Sequence, residues 1–336
     1  MMKLSIMKKF FDTVDAQWQS PQADKILSLW EHDPGSCYVV RASSNFICVF
    51  SAGGKKRFLR FAHASQRTPE LIHAELDFIQ HLSDQGIPAA RPLPSLAGRL
   101  VERAETSLGT CYATVFEAIP GKSLEINEMS QDQISEWGAT MARIHNAQEG
   151  FLGANRPGWQ EQLDGALVNL PSDDIAAQRA LHVLRSRLGK LPVNITNHGL
   201  IHYDLEADNL NWIGAVPGIF DFDDCAHDWL AADIAYALRD LYDDRASRVD
   251  LKDPVLQSFV QGYRSQRSMP EPELENISVH LFKSNLLKYV ELQQIASEKE
   301  EPGEPDWLVG LRKRLIGMTD IYCEEIKLFI NEVDGS

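Results

Sequence analysis

The side chains best suited to chemistry lie in one stretch, His198 to Asp224, whose polar loop carries His202, Tyr203, Asp204, Glu206, Asp208 and Asn209. Leu200-Ile201 precedes that loop and Leu210 to Ile213 follows it. After Gly214-Ala215-Val216-Pro217, a third apolar run, Gly218-Ile219-Phe220, ends in Asp221, Asp223 and Asp224. Two short apolar runs around a Gly/Pro turn predict a β-hairpin. Pairing Ile213 with Gly218 would set Leu210 opposite Asp221, with Asn209 at the same open end. Opposed hairpin residues stand about 5 Å apart at Cβ. An amide oxygen and a carboxylate would then meet, with Asp204 just outside. Such donors suit Mg²⁺, which takes one or two carboxylates plus substrate phosphates rather than an all-protein cage.

His202-x-Asp204-x-x-x-x-Asn209 followed by Ile219-Phe220-Asp221 resembles the catalytic loop and metal-binding Asp of protein-kinase-like phosphotransferases. It is most similar to the aminoglycoside phosphotransferase/choline kinase family, which also holds type II homoserine kinases. The resemblance implies an α+β, bilobal protein-kinase-like fold with a small β-rich N-lobe and a larger, mostly helical C-lobe. It implies transfer of the γ-phosphate of ATP, or of GTP, to a hydroxyl. In that frame Asp204 accepts the hydroxyl proton, and Asn209 and Asp221 hold Mg²⁺. Asp223 either binds a second ion or organises the loop. His202 and Asp233 brace the catalytic loop. Two departures stand out: Tyr203 occupies the position of the family's usual glycine, and no glycine-rich loop is present. The matching turn is Ala42-Ser43-Ser44-Asn45, so Ser43, Ser44 and Asn45 are the candidate phosphate-loop residues.

The elements that must position these groups are legible in the pattern. Strand-like runs cover Cys37–Arg41, Phe46–Phe50, Arg57–Ala62, Leu100–Arg103 and Cys111–Phe116, with Gly53-Gly54 as a hairpin turn. Thr68 as cap and Pro69 as first residue predict a helix running to about Gln85. Glu75 falls on the apolar stripe of that helix, where a carboxylate is costly unless paired. Arg60, in the strand RFLRFA, is its natural partner. The resemblance implies that such a strand cation binds phosphate oxygens, which a guanidinium fork suits. A hinge at 116–121 would seat the nucleotide against Phe116, Glu117 and Ile119. Residues 5–30 predict one or two helices with Phe10, Phe11, Val14 and Trp18 on one face. Beyond the hinge the pattern turns helical. Ser130 and Gln133 form a capping box, and helical segments cover 173–188, 228–242, 254–263, 273–297 and 307–331. In this reading Asp228 caps the 228–242 helix, and the acidic segment 298–306 is an exposed loop. The expected division is a helical extension (1–35), a nucleotide-binding N-lobe (36–118) and a catalytic and substrate-binding C-lobe (119–336).

Composition narrows the classes. A net charge of −15 argues against a nucleic-acid partner. No apolar run approaches the roughly 18 residues needed to span a bilayer. Five scattered cysteines, without CxxC spacing, disfavour disulfides and zinc and suit a reducing, cytoplasmic setting. The acceptor is expected to be a small hydroxyl compound bearing an amine, such as an amino alcohol, amino acid or amino sugar. Tyr203, Glu206, Asp208, Asp224 and Trp229 are candidate contacts, and Asp228, Asp240, Asp243 and Asp244 add acidic groups for an ammonium. The alternatives are a protein Ser/Thr kinase of the stress-response type and a non-catalytic, nucleotide-binding structural relative. The lack of an APE-like activation segment weighs against the first, and the joint presence of Asp204, Asn209 and Asp221 against the second.

Overall fold

The computed structural model describes residues 2–151, 153, 155–300 and 303–335. The N-lobe is a six-stranded, antiparallel sheet of β1 (Tyr38–Ala42), β2 (Phe46–Ala52), β3 (Lys55–His63), β4 (Pro92–Leu93), β5 (Glu102–Thr106) and β6 (Gly109–Glu117). The strands run β1-β2-β3-β6-β4, and β5 pairs with the first half of β6. Ala52 pairs with Lys55 across Gly53-Gly54, a two-residue turn in which both glycines have positive φ. That is the turn a tight hairpin selects.

Period-two alternation gives the sheet two different faces. On one face Phe46, Cys48, Phe50, Leu59 and Phe61 share a core with Met7 and Phe10 of α1 (Leu4–Phe11), with Ala23, Ile26 and Leu27 of α2 (Pro21–Leu27), and with Trp30. The first 35 residues therefore complete the N-lobe core. Trp18 departs from the helical expectation. It lies in a turn with φ 62°, its side chain is exposed with one edge toward Phe11, its N–H bonds to the Asp15 carbonyl (3.1 Å), and its carbonyl accepts the Val39 N–H (2.8 Å). The other face carries Arg60 toward α3 (Pro69–Asp84), which Thr68 caps through the Leu71 N–H. The apolar side of α3 (Ile72, Leu76, Phe78, Ile79, Leu82) joins the C-lobe core.

The C-lobe contains α4 (Gln131–Ala147), α5 (Trp159–Asn169), α6 (Ile175–Leu188), α7 (Leu230–Ala237), α8 (Pro254–Gln266), α9 (Glu271–Leu274), α10 (Ile277–Ala296) and α11 (Asp306–Asp334). Ser130 and Gln133 close the expected capping box at α4. Two small ribbons lie beneath the N-lobe: β7 (His198–Ile201) paired with β10 (Ala226–Trp229), and β8 (Leu210–Ile213) paired with β9 (Val216–Ile219). Glu301 and Pro302 of the acidic connection fall outside the described residues. No helix among the described residues is long and apolar enough to cross a membrane.

Two local expectations are corrected. The β8–β9 register joins Ile213 to Val216 and Leu210 to Ile219, two residues from the predicted pairing. The loop is only Gly214-Ala215, with Gly214 at φ 62° supplying the tight turn. Pro217 sits within β9 opposite Trp212, whose own N–H and C=O go to Lys122, so the missing proline N–H leaves no gap in the ladder. Asp228 is not a helix cap. It lies in β10 opposite Gly199, fully buried; one oxygen accepts the Trp229 N–H (2.9 Å), and the other binds Tyr236 Oη (3.2 Å) and the buried Lys283 ammonium.

Candidate active site

The loop between β7 and β8 is held from below by one carboxylate. Asp233 on α7 accepts the His202 N–H (3.1 Å) and the Tyr203 N–H (2.8 Å), and it is itself bonded to His145 Nε2 (3.0 Å). Burial lowers the His202 pKa, so its ring is neutral. Nδ1 receives the Asp204 N–H (3.2 Å), and Nε2 therefore donates to the Phe220 carbonyl (3.2 Å). His202 thus ties the loop to the end of β9. Tyr203 takes φ 75°, a strained value for a bulky residue, and packs on Tyr236 with ring centroids 4.7 Å apart.

Asp204 and Asn209 face each other across the loop. Asn209 Nδ2 donates to the Asp204 carbonyl (2.7 Å) and to Asp204 Oδ2 (3.0 Å). Its Oδ1 is left buried and without a partner. An orphaned buried acceptor is costly in a native interior and marks a place for a cation or donor. The Phe220 N–H bonds to the Asn209 carbonyl (3.2 Å), which brings Asp221, at φ 67°, to the same end of the ribbon. Burial raises the Asp221 carboxyl to about 7 against the pull of Arg60, and Asp223 and Asp204 push the same way as burial. The side chain still opens on the cavity with 35% of its surface, so solvent tempers that shift. An orphaned amide oxygen beside a carboxylate that has only a 3.8 Å approach from Arg60 fits a divalent cation. Among the described residues no group of three or more His, Cys, Asp or Glu forms a cage, so phosphates would have to complete the shell.

The structure brings Arg60 and Glu75 together as a buried fork, Nη1–Oε1 at 2.8 Å and Nη2–Oε2 at 2.6 Å. Burial pushes the Glu75 carboxyl up and Arg60 counters it; the two parallel bonds are those of the ionised pair. The outer edge of Arg60 approaches Asp221 Oδ1 at 3.8 Å and Asp223 Oδ1 at 4.0 Å. Burial would raise Asp223, but Arg67 and Arg60 outweigh it and hold the carboxyl down at about 2. Its Oδ2 accepts from Asn45 Nδ2 (2.8 Å) and from Arg67, which also reaches Asp224 Oδ1 at 2.7 Å. The β1–β2 turn is thereby pinned to the segment after Asp221.

Several of these groups open on one cavity of about 930 Å³, large for a small-molecule site, while Asn209, Arg60 and Glu75 are buried behind its lining. Ser43, Ser44, Asn45, Tyr203, Asp204, Glu206, Asp221, Asp223 and Asp224 line it. Its far wall comes from α5, α10 and α11, with Glu291 and Tyr322, and from the turn after α7, with Asp240 and Asp244. Phe116, Glu117 and Ile119 lie at the hinge and are not on this lining. The Phe116 ring sits under the Arg60 guanidinium (4.9 Å), Glu117 N–H bonds to the Arg91 carbonyl (2.9 Å), and the Ile119 carbonyl accepts from Asn211 (3.0 Å). Several acceptor candidates sit elsewhere. Asp208 is exposed and 3.9 Å from Arg41, and Asp243 pairs with Arg248 at the surface. Trp229 is buried against Trp159 with its indole N–H on the Pro192 carbonyl, and Asp228 is locked to Lys283.

Sequence reasoning missed Arg67 and Arg239. Arg239 pairs with both Asp204 and Glu206. Both arginines act on partners far away in sequence, so no local pattern announces them. Arg239 was also hidden inside an apparently continuous helix, which in fact stops at Ala237 and passes into a 3₁₀ turn, Arg239–Tyr242.

Residues 41–272 match the model of the phosphotransferase enzyme family (APH), and the chain belongs to that family. It is therefore a small-molecule phosphotransferase acting on an alcohol group. The amicoumacin kinase of Bacillus subtilis (strain 168) is 26% identical over 295 residues, covering 83% of this chain and 86% of that one. An amicoumacin kinase solved with AMP-PNP, Ca²⁺ and Ami superposes with a TM-score of 0.75 at 23% identity, covering 94% and 96% of the two chains. A microcompartment-associated aminopropanol kinase gives 0.71 at 19% identity, covering 92% and 97%. These two likenesses show the shared bilobal fold.

Proposed function

We propose that the protein moves the γ-phosphoryl group of ATP to a hydroxyl of a small, amine-bearing molecule, with Asp204 as the base. The observation that carries this reading is Asp204 bonded to Asn209, whose Oδ1 has no partner, with the Asp221 carboxyl on the same cavity as Asp204 and the Arg60–Glu75 fork 3.8 Å from Asp221. Phosphoryl transfer needs positioning and charge neutralisation more than covalent help. Asn209 and Asp221 would hold Mg²⁺, which when bound supplies positive charge to the triphosphate oxygens. Arg60, fixed by Glu75, would offer phosphate oxygens the edge that faces Asp221 and Asp223. Ser43, Ser44 and Asn45 cover the phosphates, and Phe116, Glu117 and Ile119 border the base. Asp223, already tied to Arg67 and Asn45, is better placed to shape the loop than to bind a second ion.

The acceptor hydroxyl sits against Asp204, which takes its proton as the new bond to phosphorus forms. Glu206, Asp224, Asp240, Asp244 and Glu291, with Tyr203 beside them, give the pocket an acidic wall suited to an ammonium group. The walling of the pocket by α5, α10 and α11 favours a small acceptor over a protein side chain. All five cysteines are free, in keeping with a reducing cytoplasm. The test is ATP consumption over a panel of amino alcohols, hydroxy amino acids and amino sugars, with the wild type and Asp204→Asn. Turnover by the wild type, lost in the variant, is expected. Equal turnover by both removes Asp204 from the mechanism, and label transfer into protein instead removes the small-molecule acceptor.

A further inference from the structure

Both carboxylate oxygens of Asp204 are engaged. Oδ2 accepts from Asn209 Nδ2, and Oδ1 is ion-paired with Arg239 Nη2. The same guanidinium turns its Nε to Glu206 Oε1, so one cation bridges two carboxylates on the cavity wall. Asn209 Nδ2 also donates to the Asp204 carbonyl (2.7 Å), so the amide is fixed on both groups and turns its own Oδ1 away from Asp204. Oδ2 can still accept a second donor, whereas Oδ1 is the oxygen that Arg239 covers. A base must stand within hydrogen-bond reach of the proton it removes.

We propose that Arg239 selects the acceptor: across Asp204 and Glu206 it holds the place that an acceptor's ammonium takes. This rests on the reading of Asp204 as base. Lifting Arg239 away exposes two partly buried carboxylates among Asp221, Asp223 and Asp224. Leaving such groups without a cation is strongly unfavourable, so water or a neutral alcohol does not displace the guanidinium. An ammonium on Glu206 with its hydroxyl at Asp204 replaces the lost charge. Since one guanidinium spans both carboxylates, amine and hydroxyl belong on adjacent or next-but-one carbons. The displaced arginine has an acceptor close by: Asp244, whose carboxyl burial raises while Arg239 opposes that rise, and whose N–H bonds to the Arg239 carbonyl (3.1 Å). Arg239 thus acts through Asp204 as a positioning and specificity residue, and it keeps water from serving as acceptor.

The experiment measures ADP release from Mg-ATP without an acceptor. In that reaction a water oxygen bonds to the γ-phosphorus, the bond to the β–γ bridging oxygen breaks, and the water proton goes to Asp204. Arg239→Ala is expected to raise this hydrolysis at least fivefold, Arg239→Lys to stay near wild type, and Asp204→Asn/Arg239→Ala to fall back to wild-type level or below. Methylammonium chloride should suppress the Arg239→Ala hydrolysis with saturation, where equal sodium chloride does not. Hydrolysis in Arg239→Ala at or below wild type, while Mg-AMP-PNP still raises its melting temperature, overturns the proposal. So does an equal response to methylammonium and sodium. If Mg-AMP-PNP stabilises not even the wild type, the ATP-site reading itself falls, and this inference with it.

Discussion

Arg60 and Glu75 close on each other as a two-bond fork, 2.8 and 2.6 Å, sealed between β3 and α3, with the fork's outer edge 3.8 Å from Asp221. Glu75→Ala leaves a buried guanidinium facing Asp221 and Asp223 alone. Loss of one partner from a buried pair costs about 3–5 kcal/mol. Urea unfolding should show a loss of that order, and AMP-PNP affinity should fall as Arg60 turns onto the two aspartates. Unchanged nucleotide affinity would separate the fork from the ATP site.

The contact of α4 with α8 depends on two glycines. A Cβ on Gly138 would lie 2.0 Å from the Phe259 carbonyl oxygen, and one on Gly262 1.7 Å from the Ser135 carbonyl oxygen. Backbone oxygens cannot rotate aside, so either alanine must push the helices apart. Gly138→Ala and Gly262→Ala are each expected to cost about 1–3 kcal/mol. Since both relieve the same crossing, the double variant should cost less than the sum of the two. A fully additive double variant would argue against a shared close approach.

Asp228 and Lys283 form a fully buried ion pair beneath Tyr203 and Tyr236. Lys283→Met strands Asp228 with only the Tyr236 hydroxyl and a backbone N–H, at about 3–5 kcal/mol. Asp228→Leu/Lys283→Met should recover most of that stability. Denaturant midpoints for the three proteins decide this, and a double variant as weak as Lys283→Met would contradict it.

Burial pushes His280 down to about 4, with Asp228 opposing and Lys283 reinforcing the shift. The unfolded chain binds this proton near the usual histidine value, so between about 6.5 and 4 it holds more protons than the folded one. Stability is therefore full above that window and declines as pH falls through it, by on the order of 3 kcal/mol. His280→Phe should flatten the pH dependence of unfolding over that window, leaving a smaller slope from His202 and His198, which burial also lowers. An unchanged slope would mean that His280 is not held neutral.

Local chemistry made parts of this molecule readable in advance. Glu75 betrayed a partner because a carboxylate on an apolar stripe needs one, and Thr68 and Gly53-Gly54 marked their boundaries through capping and turn geometry. The ribbon carrying Asn209 and Asp221 was recognisable, but its register was not. Pro217 looks like a turn residue until Trp212 is seen bonding to Lys122 instead. Asp228 before an apolar helix looks like a cap, since its partner Lys283 lies 55 residues away. Arg67 and Arg239 escaped for the same reason: each is defined by carboxylates brought near only by the fold.

The most direct measurement is Mn²⁺ binding in the presence of AMP-PNP, followed by electron paramagnetic resonance, in wild type, Asn209→Ala and Asp221→Asn. Asn209 Oδ1 and the Asp221 carboxylate are expected to ligate the ion. Each substitution should then weaken Mn²⁺ at least tenfold while the melting temperature without nucleotide stays within a few degrees of wild type. Equal Mn²⁺ affinity in all three proteins would contradict a cation held between these two side chains, and with it the proposed ATP-dependent transfer.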